Sequence, residues 1–401
     1  MLAILEEMRI GTLSDYEPGK DEVVIDEYVD EPTDRLSILP VYSQKPFNAG
    51  TVEKLVPDSW ITPTPLTYIR HHHPVPRIDE ETYKLKLGWG IELSLKDLKT
   101  KFPAHEVVAT MICAGNRRDE FNEIEPVQGL RWKNDAVSTS KWKGVMLKDL
   151  QPLIQEDPNM ENQAGRHVWF IGTDEPYDAS IPAHKAFSPT GDVLIAYEMN
   201  DMPIPREHGG PVRVIVPGYV AARSVKWLEK IQCGNDESPS PWQRGGAYKS
   251  FGPQYKTLTN VDFSKFTSIQ EVPVQSAICR YELVDNGKSI MMQGWAWSGG
   301  GRRIIRVETS VDGGKTWFDA ELGMGSDQPA GRAWAWTFWT NKVALPGNFQ
   351  DAELVVRAVD ESLNVQPETA HATWNLRGVM NNAYHRLKIA KEKGDHGPTA
   401  K

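Results

Sequence analysis

The sequence predicts an α+β chain, with a mixed α/β region first and a β-sandwich after it. Three observations carry that expectation. Short apolar runs such as EVVATMIC and PVRVIVPG suit buried strands and stand beside helix-like segments. From about residue 265 the texture becomes strictly alternating, as in RIIRVETSVDGGKTWFDA. Between the two textures lies the polar stretch NVDFSKFTSIQE, which puts a boundary near 260–270.

Taken in order, residues 1–40 are acidic and proline-punctuated, and read as a weakly ordered arm. SQKPFNAG opens the ordered part, so a first domain spans 41–262 and a second 263–401. Ser94 with Asp97 makes a helix cap, and Leu95, Leu98 and Phe102 share one face before Pro103 ends the helix. EVVATMIC follows as a strand that ends at Cys113. PVRVIVPG is a strand closed by Pro-Gly, and ARSVKWLEKI after it reads as helix. In the second domain Ile305, Val307, Thr309 and Val311 share one strand face, opposite Arg306, Glu308 and Ser310. Asp312-Gly-Gly then makes a hairpin turn. Trp334, Trp336 and Phe338 alternate, as do Leu354, Val356 and Ala358. Short strands separated by turns indicate a sandwich.

Composition excludes several functions. The net charge of -9 argues against a nucleic-acid partner, so any anion site is a local basic pocket. No run approaches the ~18 apolar residues of a membrane span. The first residues lack a basic leader and are too acidic for a transit peptide, and DHGPTAK matches no common sorting signal. Three widely spaced cysteines argue against a disulfide scaffold and for a reducing, intracellular setting. Phosphate-loop and dinucleotide fingerprints are missing, so no nicotinamide or flavin is expected.

Four basic elements and one thiol carry the chemistry. Cys113 ends a strand beside Arg117 and Arg118, and neighbouring cations favour a thiolate. A buried structural cysteine is the other reading of the same residues. YIRHHHPVP adds Arg70 and three consecutive histidines, which cannot all face one metal from a strand. His208, Arg213, Arg223 and Lys226 surround two glycine turns, an arrangement suited to an anion. WNLRG sets Arg377 between apolar residues, where a charge needs a partner. If these elements converge, the site binds anions and holds something by sulfur.

These stretches resemble the sulfite oxidase family of molybdenum enzymes. The resemblance runs from SQKPFNAG to WNLRGVMNNAYHRLK. It includes CAGNRR, AYEMN, PVRVIVPG with ARSVKWL, PVQSAI, WSGGGR, SVDGGKTW and NVQP. It implies a molybdopterin domain followed by an immunoglobulin-like domain that forms a homodimer. It implies Cys113 as the protein ligand to molybdenum, with one molybdopterin supplying the other sulfurs; a soft thiolate suits that role. Tyr68, Ile69, Arg70, His71, His72, Asp174, His208, Arg213, Ser224, Val225 and Lys226 would line the pterin. Arg70, Arg118, Trp132, Tyr248 and Arg377 would form the substrate pocket. Two departures stand out: His71 replaces the usual asparagine of R-N-H-x-P, and the GTDEPYDAS loop around Asp174 is short.

The activity so implied is oxygen-atom transfer to sulfite, giving sulfate. The electrons would pass to oxygen or to an external acceptor such as cytochrome c. No b5-type haem segment precedes the molybdenum region, so the haem-free architecture is expected. The compartment would be cytoplasm, peroxisome or mitochondrial intermembrane space. The closest rival is a nitrate-reductase molybdenum domain, whose ending MNNAYHRLK resembles. Against it, Arg377 stands where those enzymes usually carry an uncharged residue, and haem and flavin domains are lacking. A scaffold-only interaction protein would have lost Cys113 or the basic set. A zinc hydrolase built on the three histidines lacks a further ligand at suitable spacing.

Overall fold

The computed structural model describes residues 26–88, 90–154, 166–174, 177–346 and 351–390. Three sheets build the first part. Val41–Gln44, Phe47–Ala49 and Ile69–Arg70 form a small antiparallel sheet. A second sheet runs Met202–Pro203, Leu194–Met199, Val137–Met146, His105–Ile112, with Arg213–Ile215 also paired to Leu194–Met199. A third runs Ile91–Ser94, Lys84–Leu87, Leu228–Gly234, His167–Gly172, Asp178–Pro182. Its one parallel pair joins Lys84–Leu87 to Leu228–Gly234. Leu85, Phe170, Ile195, Val214 and Ile231 are buried together in the largest core.

The second part is a sandwich of two four-stranded antiparallel sheets. One runs Gln275–Val284, Ser289–Trp297, Thr337–Ala344, Glu321–Leu322. The other runs Phe318–Asp319, Ile304–Ser310, Asp351–Asp360, His385–Ala390. Leu354, Val356 and Ala358 face inward beside Ile290 and Trp339, so their alternation is realised as burial.

Local chemistry explains most elements. Ser94 caps the helix Leu95–Lys101 by accepting from the Asp97 amide, while the Asp97 carboxylate accepts from the Ser94 amide. Leu98 is fully buried. Three expectations change. ARSVKWLEKI is not a helix: a short turn over Ala221–Arg223 leads into the strand Leu228–Gly234. Apolar residues at helical spacing there are buried because the strand lies inside a sheet. Ile305 is exposed rather than inward, since the ladder slips between Ile304 and Arg306. Trp334 and Trp336 precede the strand that begins at Thr337 and do not pack inside the sandwich. The carbonyl of Trp334 accepts from the Thr110 amide, and the indole of Trp336 donates to the Trp60 carbonyl. They cover the edge of His105–Ile112, the strand that delivers Cys113.

Residues 26–40 lie against the first part through charges. Asp30 pairs with Arg77 and Arg206, and Arg35 with Glu31 and Glu207. Residues 1–25 lie outside the described residues. No disulfide joins the three cysteines, and no described helix is long and apolar enough to cross a membrane.

Candidate active site

The strand His105–Ile112 stops one residue before Cys113, and the next residues turn back on themselves. The Cys113 amide donates to Ala136, the Asn116 amide to Cys113 and the Arg118 amide to Gly115. Asn116 also accepts from the Ala136 amide at 2.9 Å. The Gly115 amide points at Cys113 Sγ, 3.4 Å away. Arg117 sits in the left-handed region at φ 61, a strained conformation held by its surroundings. Its guanidinium leaves the site for Glu120 and the carbonyls of Ala383 and Tyr384. Arg117 is therefore a structural cation, not a partner for the thiol.

Arg118 is the neighbour that stays near the site. Its Nε donates to the carbonyls of Arg377 and Gly378 at 3.0 Å, and Nη1 donates to Leu130 at 2.9 Å. Gly115, Gly129 and Gly378 wrap it so closely that a methyl on any of the three would strike its side chain. The fields of Cys113, Tyr248, Arg70 and Arg377 all reach it.

Beside this loop lies a cleft of about 670 Å³ of empty space, open mouth included. Of the expected residues, Cys113, Tyr68, Arg70, His72 and Tyr248 line one part. Asp174, His208, Arg213, Ser224 and Lys226 line the rest. The strand Arg213–Ile215 and the turn Ala221–Arg223 position Arg213, Ser224 and Lys226, while His208 stands on the turn Arg206–His208 and Asp174 follows the strand His167–Gly172. Arg213 Nη1 and Nη2 donate to the carbonyls of His208 and Ser224, leaving Nε buried without a protein partner. Asp174 Oδ1 is likewise buried and unpartnered.

Six expected residues do not line the cleft. Ile69 packs with Leu39, Phe47 and Ala49, and Val225 sits in the main core. Trp132 is buried in the cluster that holds Cys113 and Tyr68, 4.5 Å from the ring of Tyr42. Arg118 feels the charge of Cys113, and Arg377 that of Tyr248 and Arg70; Arg377 Nε is buried without a partner. His71 points its Nε2 at the Glu207 carbonyl, 3.0 Å away. The three histidines thus diverge. His72 Nε2 meets the Tyr248 hydroxyl at 3.0 Å, and His73 lies by Trp242. Among residues not singled out, Ala114, Tyr177, Glu207, Ala221, Ala222 and Trp227 also line the cleft. Each adjoins a chosen residue or its turn; the Tyr177 amide donates to the Asp174 carbonyl at 3.2 Å, within the short loop GTDEPYDAS.

Burial dominates the electrostatics. It drives Lys226 well below the usual lysine range, and Arg213 adds to this. It raises Asp174 to about 7 despite Lys226. Burial, then Lys226 and Arg213, push His208 down to about 3, and burial lowers Arg213 to about 10. His72 is held neutral by burial and then by Arg70, while burial raises Tyr248 so that its hydroxyl keeps its proton. Basic groups held down by burial line this cleft beside Arg70 and Arg213, and an anion there would favour their charged forms.

Fold and site together define a molybdopterin-type oxidoreductase. Residues 72–242 match the family described as oxidoreductase molybdopterin binding domain, and 266–392 match the Mo-co oxidoreductase dimerisation domain. The chain is 44% identical over 400 residues to the mitochondrial sulfite oxidase of Rattus norvegicus, covering 96% of this chain and 72% of that protein. It is 38% identical to the sulfite oxidase of Arabidopsis thaliana, covering 90% of this chain and 96% of that protein. A nitrate reductase of Hordeum vulgare is 33% identical, covering 94% of this chain and 44% of that protein. The chain belongs to the sulfite oxidase family. In fold it is similar to the sulfane dehydrogenase SoxCD of Paracoccus pantotrophus, with a TM-score of 0.71 at 23% identity, covering 95% and 93% of the two chains.

Proposed function

We propose that this chain oxidises sulfite to sulfate with molybdenum carried on one molybdopterin. One observation carries the reading: in a chain of this family, Cys113 opens onto the same cleft as Arg70, Arg213 and Lys226. The residues fit the group. Cys113 offers a thiolate to a soft metal. Lys226 and Arg213 suit its phosphate, and the unpartnered atoms of Arg213 and Asp174 suit a heterocycle with donor and acceptor edges. When bound, the metal supplies the two-electron oxygen-atom transfer.

The chain's own residues bind and aim the substrate. Arg70, Arg118 and Arg377 attract the sulfite dianion, and arginine matches an oxyanion with a fork of donors. That charge persists through the reaction, so this attraction lowers KM more than it raises kcat. His72 fixes the Tyr248 hydroxyl, which then has one defined direction in which to donate or accept. Trp132 supports the Cys113 wall from the core.

In this reading residues 41–262 hold the cofactor, and 263–401 join two copies into a homodimer. Electrons leave to oxygen or to an external acceptor such as cytochrome c, without haem, flavin or nicotinamide in this chain. The compartment is cytoplasm, peroxisome or mitochondrial intermembrane space. The deciding experiment is an anaerobic sulfite titration of metal-quantified protein, watching the thiolate-to-molybdenum absorption band. Bleaching at one sulfite per metal is expected. A loaded sample that does not bleach refutes the reading and favours nitrate, tested with a reduced dye as donor.

A further inference from the structure

Two clefts share a wall. The cofactor cleft and a wider one of about 1350 Å³ of empty space both touch Glu207 and His208. The wider cleft runs beneath residues 29–36. We propose that it is the passage by which molybdopterin reaches and leaves its site, and that residues 26–36 are the latch across it. The inference rests on the molybdopterin reading above.

The wall is the short turn Arg206–His208, which ends at Gly209. Its inner side is tied through main-chain carbonyls. The Trp227 indole donates to Arg206 at 2.7 Å, Lys226 Nζ to Glu207 at 3.4 Å and Arg213 Nη1 to His208 at 2.7 Å. Its outer side is tied through side chains to the latch. Arg206 donates to the carbonyl and carboxylate of Asp30 at 2.7 and 3.0 Å, and to the Pro76 carbonyl at 2.9 Å. Arg77 grips Asp30 with two bonds of 2.9 and 2.6 Å. Arg35 bridges the Glu207 carboxylate to Glu31, and Glu31 accepts from the Val75 amide.

Charges hold this segment in place of a core. Val29 is 84% exposed and Ile38 57% exposed, and Leu39 is the one buried apolar residue of the described 26–40 stretch. The pairs of Asp30 with Arg77 and Arg206 are exposed and individually weak, at about 0–1 kcal/mol, and are screened by salt, whereas the pairs of Arg35 are largely buried and screened less. A segment held this way opens locally without unfolding the domain. Most residues that line the inner cleft are buried, so moving the wall would widen the way into it. Lifting residues 26–36 frees the wall from Asp30 and Arg35, and leaves it held on this side only by Arg206 to the carbonyls of Val75 and Pro76.

The test uses full-length, molybdopterin-loaded protein and reads pterin released into an ultrafiltrate by fluorescence after oxidation. Wild-type release should quicken between about 50 and 500 mM salt, because a Debye length shortens from roughly 14 to 4 Å. The double variant Asp30→Ala/Glu31→Ala should release about tenfold faster at low salt, the equivalent of roughly 1.4 kcal/mol. It should lose the salt dependence, while sulfite bleaching per retained metal stays unchanged. Equal release rates in the two proteins overturn the latch and leave the sulfite reading standing. Should the double variant misfold, Arg77→Ala and the wild-type salt series decide: salt-independent release overturns the proposal. Protein that never holds molybdopterin fails at time zero and removes the cofactor reading itself.

Discussion

Arg117 spends its charge on Glu120 and two carbonyls, while Arg118, one residue on, lies against Gly115 beside the thiol. Backbone conformation makes the difference, since the left-handed φ of Arg117 sends successive side chains apart. Gly115→Ala should displace the Arg118 guanidinium and raise KM for sulfite about tenfold, with kcat nearly kept. Steady-state kinetics on folded, metal-loaded protein checks this; an unchanged KM removes Arg118 from substrate binding. Arg377→Met should likewise raise KM about tenfold, worth roughly 1.4 kcal/mol. Lys226 yields a proton prediction. An anion restores its depressed pKa, so the bound state carries more protons and affinity falls as pH rises. Calorimetry of inorganic phosphate binding in two buffers of different ionisation enthalpy should report proton uptake. Zero uptake contradicts the charge state assigned to Lys226.

At the scale of elements, the capping box at Ser94 is the most local device in the chain. Ser94→Ala should cost about 1 kcal/mol, read as a lower urea midpoint at constant slope. The strand His105–Ile112 is less self-contained, because Trp334 and Trp336 from the second domain cover its edge. That cover ties the position of Cys113 to the docking of the sandwich. The turn Arg206–His208 is fastened from both sides, by the Trp227 indole within and by Asp30 without.

Across the whole molecule, burial sets the response to acid. His71, His72, His73, His167, His208 and His385 all have lowered pKa values, the last two down to about 3 and 4. Below pH 6.5 the unfolded chain takes protons these groups refuse in the fold, so stability falls as pH falls. Glu53, Asp135, Asp174 and Glu207 are raised by burial and act the other way, holding protons in the fold that the unfolded chain releases. The unfolded histidines all titrate across this window, while of the carboxyls only Asp135 and Asp174 are raised as far as about 7, so the histidines set the sign. The melting temperature of cofactor-free protein should drop between pH 6.5 and 4.5. A flat or rising profile contradicts the neutral assignment of the buried histidines.

Period and capping are local properties, so the helix at Leu95, the strand into Cys113 and the alternation of Leu354, Val356 and Ala358 were legible in the sequence. So were the basic clusters, because charge at short spacing needs no fold to be seen. The sequence by itself determined the family, the order of the two domains and most residues that line the cleft. Tertiary structure alone decided the rest. The end of ARSVKWLEKI became a strand because it lies between Lys84–Leu87 and His167–Gly172 and pairs with both, and Ile305 turned outward at a bulge. Arg117 was taken by residues more than 260 positions away. The fastened wall at Glu207 came into view only once distant segments packed together. Pairing partners, register slips and buried charges depend on contacts between distant segments, and no local pattern encodes which of them will meet.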